Sequence, residues 1–234
     1  MTAAPTRIRW GLGDFAWAWP AVIVSQIVAG TIVIGARGGG THYAADAIDI
    51  AVVTAASAVF TAAILLALAR AKGRGSLFAD FGFRIRWADA PWLLVGVLVQ
   101  GIAIGAVELL TLVAGSEPQQ DVARALEHSA PTAKVLGAVA VVVAAPIAEE
   151  LLFRGLLLRG LLRRWGAPTS VLVSSAVFAS VHLVDPNAIT LLAPLALVGV
   201  VSGIRAVRTG ELSQSIFIHA GFNLFTAVVL LSGL

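Results

Sequence analysis

Two neighbouring carboxylates, Glu149 and Glu150, stand inside an apolar stretch that runs Ala144-Ala145-Pro146-Ile147-Ala148-Glu149-Glu150-Leu151-Leu152-Phe153-Arg154. A charged side chain at the centre of a bilayer costs about 3 kcal/mol on insertion scales, so acids at that depth are functional candidates. Desolvation makes a carboxylate a stronger base near neutral pH, provided a histidine or arginine keeps it ionised. Glu150 and Arg154 are spaced i, i+4 with the acid first, the favourable order for an intrahelical pair. Glu149 is turned by about 100° from Glu150 on a helix, free to face another partner. Pro146 cannot donate its backbone hydrogen bond and crowds the preceding turn, which predicts a kink that opens space beside the acids.

Two further faces offer matching groups. Phe178 and His182 are spaced i, i+4, as are His219 and Asn223, so each pair shares one side of a helix. Gly221, between the last two, permits close approach of a neighbouring helix. Three helices that each present one polar face is how sites are assembled in helical bundles. Glu149, His182 and His219 have the donor set of a two-histidine, one-carboxylate zinc site with an open position for water. The chain has no His-Glu-x-x-His helix and no Gly-x-Ser-x-Gly elbow, which leaves the zincin and serine-hydrolase routes unsupported. With no cysteine, disulfides, thiolate metal sites and cysteine nucleophiles are excluded.

The elements that must position these groups are membrane helices. The 234 residues are 59% hydrophobic and only 12% charged, far outside the globular range. Hydropathy places spans near 15–36, 49–69, 92–114, 133–153 with a continuation to about 164, 167–184, 187–205 and 212–233. The expectation is an all-α, polytopic transmembrane helical bundle of about seven spans, with residues 1–234 forming a single membrane domain. The first span lacks a small-residue cleavage site and reads as retained. The bilayer is thus a partner, and no nucleic-acid module is present.

Basic residues set the orientation. Arg7, Arg9, Arg70, Lys72, Arg74, Arg84, Arg86, Arg159, Arg163, Arg164, Arg205 and Arg208 fall on one side, which should be cytoplasmic. Asp46, Asp49, Glu117, Asp121, Glu127 and Asp185 fall on the other. Trp10, Trp17, Trp19, Trp87, Trp92 and Trp165 map near the basic side as interfacial anchors. The amino end is then inside a cell inner or plasma membrane and the carboxyl end outside. If the fourth span continues as helix to Arg164, Glu149 lies about 21 Å above that end. His182 lies about 22 Å above residue 167, so the two reach similar depth.

Glu149-Glu150-x-x-x-Arg154, Phe178-x-x-x-His182 and His219-x-x-x-Asn223, in that order, resemble the three motifs of the CAAX-protease and bacteriocin-processing (Abi) family of intramembrane endopeptidases. The resemblance covers roughly residues 92–233, the expected catalytic core. It implies hydrolysis of a peptide bond in a membrane-anchored or peptide substrate, as in CAAX-type or leader-peptide processing. It further implies that Glu149 acts as general base on a water oriented by His182, and that His219 and Asn223 stabilise the oxyanion. Glu150 with Arg154 would be supporting structure. The family is described both as metalloproteases and with a metal-free glutamate mechanism, so zinc stays open.

Plainer readings stand beside these. The Glu149, Glu150 and Arg154 group also fits a structural ion cluster. His182 fits a polar residue near the outer interface, and His219 with Asn223 fits interhelical hydrogen bonding worth about 1 kcal/mol. Phe178 reads as packing. His42 and His128 fall in outer loops, and Glu108 lies near a span end where snorkelling is affordable. The stretch Leu77 to Arg84 reads as a short interfacial segment. Two rivals to the protease are a non-catalytic immunity or scaffold protein and a small proton-coupled transporter. The second predicts inverted repeats, of which the sequence shows no sign.

Overall fold

A computed structural model describes residues 8–39, 45–114, 129–184, 189 and 191–232, with only the backbone of 106, 108–114 and 184. Arg7, His42, Glu117, Asp121, Glu127, His128 and Asp185 lie outside the described residues, as does the side chain of Glu108. The described residues form the helices α1 (Leu12–Ala36), α2 (Ala47–Lys72), the short α3 (Leu77–Phe81), α4 (Trp92–Ala114), α5 (Pro131–Leu162), α6 (Ala167–Ser180), α7 (Leu192–Thr209) and α8 (Ser213–Ser232). Six are long and apolar enough to cross a membrane, while α6 with its 3-10 extension, Ala167–Leu183, is apolar but shorter. The seven expected spans therefore appear as six long helices and one short one, a helical membrane bundle.

The expected sixth span, near 187–205, begins later and runs further. Hydropathy locates the middle of a span, whereas its end is set by backbone chemistry. Here Gly210 takes φ 69°, a left-handed conformation that closes α7 and that glycine adopts without strain.

Small residues draw the inner helices together. A Cβ placed on Gly96 of α4 would lie 1.9 Å from Ile218 O, and one on Gly221 of α8 would lie 2.0 Å from Leu93 O. The two helices thus cross backbone against backbone, the approach expected of Gly221. On the other flank Gly203 of α7 packs on Val171 of α6. Leu156, Phe178, Val198, Leu212 and Ile218 are buried between these helices.

The basic residues do gather at one end. Arg9 N–H donates to Lys72 O, and Lys72 pairs with Asp14 at the start of α1. Arg163 donates to Trp10 O, Arg159 to Gly210 O, and Arg84 and Arg86 pair with Glu211. Arg37 stands at the opposite end, paired with Asp46 and Asp49. Two expectations shift here. Trp10 is not a lipid anchor but is buried, its Nε1–H donating to Asp80 and its ring packed on Phe81. The Leu77 to Arg84 segment is more than interfacial, because Asp80 and Phe81 are fully buried and Phe81 fills the space left by Gly155.

Candidate active site

Helix α5 carries the two acids at a change of register. Its backbone makes wide π-helical turns over Ala140–Ala144 and Glu150–Leu158, on either side of an α-helical stretch, Ala145–Glu149, that contains Pro146. Such turns are rare and occur mostly at functional sites. The disturbance expected at Pro146 takes this form: the helix continues while its register changes on both sides of the proline.

Glu150 is wholly buried, with Arg154 Nη1 3.2 Å from its Oε1. Arg154 Nη2 donates to Gly199 O at 3.1 Å, and its guanidinium lies 4.4 Å from the centre of the Phe178 ring. A Cβ at position 199 would sit 3.2 Å from that Nη2 and 3.0 Å from Ser175 Cβ, so a larger residue there requires these neighbours to shift by a few tenths of an ångström. Glu150 Oε2 and Arg154 Nε have no hydrogen-bond partner among the described residues. The ion pair is therefore not a saturated structural bridge, and the loss of either member leaves a buried charge uncompensated.

His219 of α8 lies between the acids. Its Nδ1 is 3.0 Å from Glu150 Oε1 and its Nε2 is 3.6 Å from Glu149 Oε2. Glu149 and Glu150, expected to face different partners, instead reach opposite edges of one imidazole. An ionised carboxylate only accepts, so an ionised Glu150 takes the hydrogen on Nδ1, and Nε2 faces Glu149. Glu150 thus orients His219 in addition to pairing with Arg154.

His182 sits in the 3-10 turn that follows α6, its Nδ1 2.9 Å from Phe178 O. That nitrogen must donate to a carbonyl, which leaves a lone pair on Nε2. No hydrogen bond or ion pair joins His182 to Glu149 among the described residues. The two histidines meet instead through Phe178, whose buried ring lies edge-on 5.1 Å from His182 and 5.4 Å from His219. Phe178 therefore packs against Arg154 and both histidines, a role that a packing residue inferred from sequence did not reveal; its i, i+4 spacing to His182 was the available signal. Asn223 Nδ2 donates to Val141 O at 2.8 Å. Glu149 keeps 30% of its side chain exposed, whereas Glu150 keeps none and His219 4%, so Glu149 is the acid that a substrate or water can reach.

Among the described residues, no group of three or more His, Asp or Glu side chains comes together in a way that could hold a metal ion.

A helical membrane bundle with a carboxylate–histidine cluster spanning α5, α6 and α8 defines the class. Residues 131–225 match the family model for type II CAAX prenyl endopeptidase Rce1-like proteins. An Escherichia coli protein described as an uncharacterized 24.3 kDa protein is 28% identical over 147 residues, which span 58% of this chain and 62% of that relative. No solved structure matches the chain. The family segment takes in Glu149, Glu150, Arg154, Phe178, His182, His219 and Asn223 together.

Proposed function

We propose that the protein is an intramembrane endopeptidase that hydrolyses a peptide bond of a membrane-associated protein or peptide. Glu149 takes a proton from water, and the water oxygen forms a bond to the scissile carbonyl carbon. His182, through the lone pair on Nε2, orients that water. The carbonyl oxygen becomes an oxyanion that His219 and Asn223 stabilise as donors. The C–N bond then breaks as protonated Glu149 returns its proton to the leaving amine. Glu150 accepts the Nδ1–H of His219 and so orients the ring, Arg154 pairs with Glu150, and His219 donates to the oxyanion from Nε2 when both ring nitrogens carry a proton. The basic end of the bundle faces the cytoplasm, and the substrate approaches Glu149 from the membrane.

The observation that carries this reading is the imidazole of His219 set between a buried and a half-exposed glutamate, at 3.0 and 3.6 Å. A purely structural cluster would bury both acids. The test is cleavage of membrane-anchored peptides by purified protein in liposomes. Glu149→Gln removes the base while keeping the shape, and should lower kcat by at least about 100-fold, the lower bound of general-base catalysis, without changing the melting temperature. Equal cleavage by wild type and Glu149→Gln would remove this site from the reaction, and loss of cleavage on chelation would replace the metal-free route.

A further inference from the structure

The Val141 carbonyl loses both amides that a helix would set against it. Its α-helical partner, the Ala145 N–H, is turned to Ala140 O by the wide turn. Its π-helical partner would be residue 146, a proline without an N–H. A buried carbonyl left without a donor at membrane depth costs several kcal/mol, so another group must supply one. Asn223 Nδ2, from α8, does so at 2.8 Å.

We infer that Asn223 is a positioning residue: through the Val141 carbonyl it pins the broken stretch of α5 to α8, and thereby sets Glu149 against His219. His219 and Asn223 are one turn apart on α8. The first meets α5 after Pro146, at Glu149 and Glu150, and the second meets it before Pro146, at Val141. Two points on one rigid helix thus bracket the irregular segment and fix its bend. The Asn223 amide carries two hydrogens, and one of them is committed to this bond, which leaves the other for the oxyanion. The catalytic consequence rests on the reading of Glu149 and His219 as the working pair.

The sequence holds two asparagines, Asn187 and Asn223. Protein labelled with side-chain 15N-asparagine therefore shows two amide pairs by NMR in nanodiscs, and Asn223→Ala assigns them. One Asn223 Hδ2 should lie downfield of its position in a free asparagine amide and exchange slowly with water. Pro146→Ala supplies the missing N–H and should return that resonance upfield. In turnover, Asn223→Ala should lower kcat by at least about 100-fold, because it removes both the pin and an oxyanion donor, with KM nearly unchanged. In the Pro146→Ala background the same change should cost about tenfold less, because only the oxyanion donor is then lost. Hδ2 shifts of a free asparagine amide with fast exchange would overturn the inference, as would a resonance indifferent to Pro146→Ala or the same kcat loss in both backgrounds. If Pro146→Ala does not fold, the shift and exchange in the unmutated chain decide. A bonded Asn223 in a chain that cleaves nothing would uphold the pin and overturn the protease reading, so the two failures are distinct.

Discussion

Within the membrane-crossing windows, 11% of α1 and 17% of α2 is buried, against 39% of α5 and 50% of α8. The outer pair turns Ile27, Ile32 and Val59 outward, at 62%, 65% and 72% exposure, and makes its ionic contacts at its ends, Asp14 with Lys72 and Arg37 with Asp46. The inner pair holds an arginine, two glutamates and a histidine in mid-span. The difference teaches where a charge can stand inside a bilayer. It needs protein on every side, and only helices that have given up their lipid-facing surface supply it.

Removing one member of the inner cluster tests this most severely. Arg154→Met leaves Glu150 buried without its countercharge and should destabilise the fold by about 3 to 5 kcal/mol. The double change Glu150→Leu, Arg154→Met should recover most of that stability in a detergent melt, while activity stays lost. Gly221→Ala comes next: its methyl would meet Leu93 O, so α4 and α8 must separate at a cost of about 1 to 3 kcal/mol. In the outer pair the effects shrink. Asp46→Ala removes the N-cap of α2, where the carboxylate accepts from Ile48 and Asp49 N–H, and should cost about 1 kcal/mol. Burial raises the Asp46 pKa, but the hydrogen bonds from Asp49 N–H, Arg37 and Ile48 N–H outweigh it and hold the carboxyl below its ordinary value. A lowered folded value contributes stability above the unfolded value of about 3.9 and loses it as pH falls through the folded one. Acid melts of wild type should therefore show a component that Asp46→Ala lacks. Val59→Ala, on the exposed side of α2, should change stability by less than about 0.5 kcal/mol. A large loss at Val59 would mean that the outer pair is covered by protein, and the contrast between the two regions would fail.

The parts of the site that follow from local periodicity were legible in the sequence. Glu150 meets Arg154 as their i, i+4 spacing predicts, Gly221 permits the helix contact foreseen for it, and His219 joins the acids of α5. What was not legible depends on partners far apart in sequence. The register of α5 turns on a carbonyl satisfied from residue 223, 82 positions away. Phe178 became a shared wall for two histidines and an arginine only because α5, α6 and α8 converge on it. Trp10 matched the composition of an interfacial anchor, yet its indole N–H found a buried aspartate 70 residues on. Hydropathy carries no information about either event.

The buried α3 segment has a consequence for how the chain is made. Gly82 O waits for the Leu212 N–H, and Arg86 N–H waits for Ser213, 127 residues later. Phe81 fills a place beside Gly155 that does not exist until α5 has been inserted. During synthesis α3 therefore lacks part of its packing and hydrogen bonding until α5 and the start of α8 have been made.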